Sequence, residues 1–251
     1  MKTRVAVIGA SGRTGRHVVA AVCAKEDLVL HAAVVSSGSS KVGLLVEGTS
    51  VAYSGSLDSI GGADLVIDFT NPEVSLEVAR RCGEIGIPVL MGTTGHSVEQ
   101  LRELEGLGRA IPLARVSNTS LGATVLSSLA RQAKRLLGPS FDIEIVEIHH
   151  NQKKDAPSGT ALMIAESLID NERIVTNRSS IREPGEVGVG SLRGGSVVGD
   201  HTVYFLGEGE RIELVHRVSS RATFGIGAVS MGLVLCQKAD AGIYQARDLI
   251  V

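Results

Sequence analysis

"RVAVIGASGRTGRHVVAAVCAKEDLVLHAAVVSS", residues 4–37, is the stretch on which the fold turns. It opens on a short β-rich apolar run, Val5 to Ile8, and bends at glycine. A helical pattern follows, with Val18, Val19, Val22 and Cys23 on one side. A second apolar strand, Leu28 to Val35, completes a strand–turn–helix–strand unit. Within the turn, "GASGRTG" spaces Gly9, Gly12 and Gly15 three apart. This is G-x-x-G-x-x-G rather than the commoner G-x-G-x-x-G, but the physics is shared. A tight turn leaves the strand, the backbone can approach a pyrophosphate, and a helix N-terminus is aimed at it. Such spacing is weak alone and gains meaning between a strand and a helix. Arg13 adds charge suited to phosphates, whereas Arg16 reads as helix surface.

An acid at the end of the second strand would bind an adenosine ribose in many such domains. Here Val35, Ser36 and Ser37 occupy that place, and no Asp or Glu lies between Leu28 and Lys41. An uncharged, hydroxyl-bearing loop repels a 2′-phosphate less than a carboxylate would, which favours NADPH over NADH.

The alternation of strands and helices continues outward. "ADLVIDFTNPE" (63–73) reads as a buried strand stopped by Pro72, and "SLEVARRCGEIG" (75–86) as a helix. "IPVLMGTTG" (87–95) and "IPLARVSNTS" (111–120) read as strands, and Gly122 to Leu137 as a helix. This order implies a parallel sheet covered on both faces. After Pro139 the texture changes. "FDIEIVEIHH" (141–150) alternates, with Phe141, Ile143 and Ile145 on one face and Asp142 and Glu144 on the other. Residues 171–200 show almost no apolar pattern. "HTVYFLGEGERIELVHRV" (201–218) reads as a hairpin about "GEGE", and "GAVSMGLVLCQKA" (227–239) as a helix. The fold class is therefore α/β, with two domains. A Rossmann-type dinucleotide-binding domain spans 1–119 and is completed by 221–251. A smaller α+β domain with an open mixed or antiparallel sheet spans 120–220.

The totals restrict the function. In 251 residues, 43% are hydrophobic and 30 are glycine, against 3% aromatics, a mix suited to tight turns and close backbone approaches. A net charge of -2 offers no electrostatic case for a nucleic-acid partner. Cys23, Cys82 and Cys236 are odd in number and far apart, which fits a reduced cytoplasmic compartment and structural burial for each. No apolar run approaches the roughly 18 residues of a membrane span, and the N-terminus turns to glycine too early for a secretory signal.

One segment gathers ionisable residues: "EIVEIHHNQKKDAPSGTAL", 144–162. It reads as a strand end, a loop, and a helix starting near Ser158 to Thr160. Ser158 or Thr160 can cap that helix, leaving the amides of Gly159, Thr160 and Ala161 to attract an anion, with Lys153 or Lys154 adding positive charge. His149 and His150 point to opposite faces of an extended strand, so their roles must differ. A free histidine titrates near pH 6.5 and can hold or release a proton at neutral pH. Adjacent histidines pair awkwardly on a metal, and no carboxylate or cysteine recurs at ligand spacing, so no metal is expected.

The pattern E-x-x-E-x-H-H-x-x-K-x-D-A-P-S-G-T-A, Glu144 to Ala161, resembles the signature of the 4-hydroxy-tetrahydrodipicolinate (dihydrodipicolinate) reductase family. The resemblance runs nearly end to end, through "VIGASGRTGR", "VIDFTNPE", "MGTTG", "SNTSLG", "GDHTVYF" and "SSRATF". It implies an NAD(P)H-dependent oxidoreductase acting on a small cyclic dicarboxylate in the diaminopimelate route to lysine. It implies His149 as proton donor and Lys153 as the second donor. His150, Gly159 and Thr160 would contact substrate, as would Thr94 and Arg221. The pyrophosphate loop would be Gly9, Ala10, Ser11, Gly12, Arg13 and Thr14. Val35 and Ser36 would meet the adenosine ribose. Gly92, Thr93 and Thr94 would lie near the nicotinamide, and Val116, Ser117, Asn118 and Thr119 would form a second cofactor turn. A homotetramer formed through the second-domain sheets is implied as well. Two departures stand out: the family often has an acid and an arginine where this chain has Val35 and Ser36, and often an aromatic residue at Thr119. Aspartate and homoserine dehydrogenase relatives lack the His-His-Lys-Asp-Ala-Pro-Ser-Gly-Thr block. A non-catalytic NAD(P) sensor would not need it.

Overall fold

The computed structural model describes residues 2–170 and 172–250. In chain order the first elements are β1 (Thr3–Ile8), α1 (Gly15–Cys23), β2 (Leu28–Val34), β3 (Tyr53–Ser54), β4 (Leu65–Asp68), α2 (Pro72–Ile85), β5 (Val89–Met91), α3 (Val98–Leu107) and β6 (Pro112–Arg115). There follow α4 (Leu121–Leu137), β7 (Asp142–His149), α5 (Gly159–Leu168), β8 (Arg173–Thr176), β9 (Glu186–Arg193), β10 (Gly199–Leu206) and β11 (Arg211–Val218). The chain closes with α6 (Ala222–Cys236) and β12 (Gly242–Tyr244). These elements fall into two compact units, Met1–Leu121 with Arg221–Val251, and Gly122–Ser220.

In the first unit seven strands form one sheet in the order β12-β6-β5-β4-β1-β2-β3, and every pairing is parallel. The order reverses direction between β1 and β4, which makes that junction the switch point of a doubly wound sheet. β1 shows why its sequence is an unbroken apolar run. Val5 and Val7 enter one core with α1 and α6, while Ala6 and Ile8 enter another with α2 and α3. Both faces are buried, so alternation would leave a polar side chain in a core. Each such Val or Ile contributes about 1.5–3 kcal/mol when fully buried.

Helix ends carry their own signals. β4 has already ended at Asp68, so Pro72 serves instead to begin α2, at a position where its missing amide has no partner to lose. Asn71 accepts from the Val74 amide as the N-cap, and Gly86 closes the helix at φ 72°. Helix α3, which the sequence pattern did not suggest, opens on a capping box between Ser97 and Gln100. Cys82 is buried and Cys236 half-buried, but Cys23 is exposed. One position beyond buried Val22, it is turned about 100° around the helix axis and leaves the apolar stripe.

The second unit holds a five-stranded sheet in the order β11-β10-β7-β9-β8. β10 runs antiparallel to β11 and β7, whereas β9 runs parallel to β7 and β8, so the sheet is mixed and not wholly antiparallel. Its inner face, with Ile143, Ile145, Val187, Val189, Val203 and Phe205, packs on α4 and α5 through Leu126, Ala130, Ile164 and Leu168. Residues 171–200, unpatterned in sequence, contain β8, all of β9 and the start of β10. Glycine hides the alternation: Val187 and Val189 face inward while Gly188 and Gly190 face outward. A Cβ at Gly188 would lie 1.8 Å from the Glu144 carboxylate, which Arg178 and Arg182 hold across the outer face. Among the described residues, no helix is long and apolar enough to cross a membrane.

Candidate active site

The carboxyl ends of β1, β4, β5 and β6 carry the turns expected to meet a cofactor. Gly9 has φ +72°, and a Cβ there would come within 2.3 Å of the Phe69 carbonyl at the end of β4. A Cβ at Gly15 would come within 2.0 Å of the Gly9 carbonyl oxygen. The first and third glycines are thus required by the chain itself. Gly12 is exposed and a Cβ there would touch only the Gly9 oxygen, at 3.0 Å. Ala10 is buried with its amide on Val34, Ser11 and Thr14 are half-buried, and Arg13 is exposed. Among the described residues, Thr14 caps α1 with no side-chain bond, and no backbone carbonyl accepts from the amides of Arg13 or Thr14. An exposed loop whose middle glycine has no internal reason, leading into an uncapped helix, fits a pyrophosphate.

The neighbouring turns are tied by Asp68, a fully buried acid at the end of β4. Thr70 and Thr93 donate to its two oxygens at 2.6 Å each, and Thr93 accepts from the Thr70 amide at 2.9 Å. Burial raises the Asp68 carboxyl above its ordinary range against the effect of these hydroxyls. The Thr93 hydroxyl is therefore engaged within the turn, while Thr94 is exposed. At Gly92 a Cβ would strike the Phe69 ring at 2.2 Å. Val116 is buried with its amide on Met91, and the Asn118 side chain accepts from the Ser120 amide. Thr119, buried, donates to the Phe224 carbonyl and so binds its turn to α6. Val35 is buried with its amide on Ser54, whereas Ser36 is exposed and precedes exposed Lys41. Arg221 is exposed at the N-cap of α6. Asp68 is absent from the expected residues, although an acid inside the apolar run "LVIDF" is a readable signal.

In the second unit, His149, His150, Lys153, Gly159 and Thr160 follow one another from the end of β7 into the first turn of α5. β7 alternates inward with Ile143, Ile145, Glu147 and His149, so an acid and a histidine extend the apolar face. Glu147 is fully buried. Its Oε2 lies 2.5 Å from His149 Nδ1, and Arg193 of β9 donates to both its oxygens at 2.8 Å. The Ser158 amide adds a fourth donor at 3.0 Å. Burial opposes ionisation, but the bonds from Arg193 and His149 prevail and hold the carboxyl at about 2.

An ionised carboxylate only accepts, so Nδ1 carries a proton and Nε2 is left to exchange one. That nitrogen lies over Gly199, where a Cβ would approach it to 2.9 Å. Burial pulls the His149 pKa below its usual value, against the raising effect of Glu147, and Lys153 and Arg193 lower it further. His201 stands edge-on to His149 at 5.4 Å between ring centres and reaches Ser158 Oγ at 3.1 Å. Burial first, then His149, push it down to about 4.

His150 lies beyond the last residue of β7, half-buried, with its amide on Val197. Lys153 donates to both Asp155 oxygens, at 2.9 and 2.8 Å, and Arg193 donates to the Asp155 carbonyl at 2.7 Å. Asp155 thus braces the loop, while Lys154 is exposed. Ser158 caps α5 by accepting from the Ala161 amide, which removes Ala161 from the expected anion donors. Gly159 is exposed with open space in front of its Cα. The second unit therefore places an imidazole, an ammonium and the start of α5, with Gly159 exposed, along one short segment. Thr94 and Arg221 belong to the first unit. Glu147, Arg193 and His201 were not anticipated. Alternation along β7 marks Glu147, but only long-range pairing reveals the other two.

Comparison with known proteins adds the family. The dihydrodipicolinate reductase N-terminal family matches residues 3–119, and its C-terminal family matches residues 122–250. The 4-hydroxy-tetrahydrodipicolinate reductase of Anaeromyxobacter sp. (strain Fw109-5) is 41% identical, covering 98% of this chain and 97% of the relative. That of Syntrophotalea carbinolica is 39% identical over 98% of each. Among solved structures, a dipicolinate-bound dihydrodipicolinate reductase from Paenisporosarcina sp. TG-14 superposes with TM-score 0.82 over the whole of both chains, at 24% identity. An amine dehydrogenase from Mycobacterium smegmatis shares the fold, with TM-score 0.70 at 15% identity over 100% of this chain and 97% of that one. With both family halves matched in order and close relatives aligned along its length, the chain is an oxidoreductase that belongs to the 4-hydroxy-tetrahydrodipicolinate (dihydrodipicolinate) reductase family.

Proposed function

We propose that this protein reduces 4-hydroxy-tetrahydrodipicolinate to tetrahydrodipicolinate, with loss of water, in the diaminopimelate route to lysine. A nicotinamide dinucleotide, when bound, supplies the hydride. The observation that carries the reading is the Glu147–His149 pair beside Lys153 and the start of α5, where Gly159 is exposed. His149 Nε2 delivers the proton that quenches charge developing on the substrate ring, and Lys153 is the second donor. His150 contacts substrate, and the Gly159 amide and Thr160 hold a substrate carboxylate at the helix start. A dicarboxylate substrate agrees with the dipicolinate bound to the Paenisporosarcina relative. Thr94 and Arg221 would contribute further substrate contacts.

Gly9 to Thr14 cradle the pyrophosphate, Val35 and Ser36 border the adenosine ribose, and the 92–94 and 116–119 turns border the nicotinamide. NADPH is the preferred cofactor, since the loop after β2 has serines and Lys41 but no acid to repel a 2′-phosphate. The decisive assay follows absorbance with synthase-generated substrate, in parallel with NADPH and NADH. Oxidation of both, faster with NADPH, is expected. Flat traces at every pH would sink the reading, and faster NADH oxidation would reverse only the preference.

The enzyme is also proposed to be a cytoplasmic homotetramer joined through the second-unit sheets. Their outer face bears Val146 and Ile148, half-buried, and exposed Leu192 and Val215. Light scattering behind size exclusion should give four times the 26.2 kDa chain mass. Leu192→Glu with Val215→Glu should lower it, and a monomeric wild type would exclude the tetramer.

A further inference from the structure

Glu147 sits deeper than any group the reaction needs to touch. It lies two residues before His149 on the same inward face of β7. In the neighbouring strands it stands beside Ser191 and His201, and His149 beside Arg193. Four donors converge on its two oxygens: His149 Nδ1 and Arg193 Nη1 on Oε2, and the Ser158 amide and Arg193 Nη2 on Oε1. A buried Glu–Arg pair can be a staple between β7 and β9 and nothing more. Two features say otherwise here. The shortest of the four bonds comes from the histidine, and the ring that donates it has its other nitrogen over a glycine, with no side chain at that position to block it.

We infer that Glu147 is the positioning residue for His149. Its carboxylate fixes the Nδ1–H form of the imidazole, so that Nε2 alone exchanges the proton, and Arg193 keeps that carboxylate ionised and in place. The inference deepens the function proposed above and rests on His149 as proton donor. Outer groups that orient an imidazole in this way set both its tautomer and its basicity.

Glu147→Gln is the direct test, because no orientation of a carboxamide satisfies four donors. If its oxygen faces His149, its NH₂ opposes Arg193 and Ser158. If its NH₂ faces His149, it donates to Nδ1 and drives the proton to Nε2. Nitrogen-15 NMR of histidine-labelled enzyme should show His149 as Nδ1–H in the wild type and shifted towards Nε2–H in the variant. In the assay, kcat should fall about 10²-fold or more, with the cofactor KM little changed. The alkaline limb of the pH profile should move to lower pH, because the charge that favours imidazolium is gone. The other charged or titratable groups facing His149 are Arg193, Lys153 and His201, and they remain. The double variant with His149→Gln should be no slower than His149→Gln alone, as for residues acting as one unit.

A wild-type Nε2–H form, a tautomer unmoved by Glu147→Gln, or losses that multiply in the double variant would each overturn the inference. Should Glu147→Gln not melt cooperatively, Glu147→Asp keeps the charge beside Arg193 but draws back from His149, and the same readouts apply to it. Full turnover by His149→Gln would remove the proton-donor reading instead, and the NMR result separates that failure from this one.

Discussion

His149→Gln should lose about 10²- to 10⁴-fold in kcat, the range expected when a positioned general acid is removed. Glutamine fills similar space and keeps a polar head but cannot hand over a proton. The cofactor KM should stay near wild type, since the glycine turn belongs to the other unit. The pH dependence follows from the environment. Burial lowers the His149 pKa below 6.5, against Glu147, with Arg193 and Lys153 lowering it further and His201 adjacent and pushed to about 4. A general acid works in its protonated form, so kcat/KM should decline as pH rises through that lowered value. In the complex proposed above, the substrate carboxylates would favour imidazolium, so the decline in kcat should come at higher pH than the decline in kcat/KM. Paired profiles of wild type and variant check this: the variant should lack the limb. Undiminished turnover in His149→Gln, with the limb intact, would exclude His149 as the donor.

The residues that make this prediction possible were unequally legible. His149 and Lys153 stand in a long motif, and any reading of the chain meets them. Glu147 stands in the same motif, yet its role appears only when β7 is seen to alternate through to His149, with the acid on the apolar side. Arg193 was hidden for a different reason. It ends β9, a strand with glycines at two outward positions, one of them making room for Glu144, so neither alternation nor apolar bulk announces it. His201 is read easily as a strand residue, but pairing opposite Glu147 depends on the β10–β7 register, which is set across more than fifty residues. The first unit was the easier case. A parallel sheet buried on both faces writes its strands as continuous apolar runs, and Val5 to Ile8 is one. The structure adds a detail at the 116–119 turn: the Thr119 hydroxyl donates to the Phe224 carbonyl of α6.

Gly15→Ala and Gly12→Ala should fail in opposite ways, although both remove a glycine from one seven-residue turn. At Gly15 the added carbon would lie 2.0 Å from the Gly9 carbonyl oxygen and 2.7 Å from its carbon. Those are backbone atoms at the end of β1, so the clash cannot be relieved by turning a side chain. Helix α1 must move off the sheet, and overpacking of this kind costs about 1–3 kcal/mol or more. A fall in melting temperature of several degrees is expected, with loss of cofactor binding as a consequence. At Gly12 the added carbon would meet only one atom at 3.0 Å, on an exposed loop, and the melting temperature should stay close to wild type. If the second glycine exists so that backbone can approach a pyrophosphate, its replacement should still weaken the cofactor at least about tenfold, as expected for a methyl group placed where phosphate must sit. Calorimetry of both cofactors against both variants, beside thermal melts, separates the two cases. A stable Gly12→Ala with wild-type affinity would mean that this turn does not bind the pyrophosphate. Stability lost equally in both would mean that all three glycines serve only the chain.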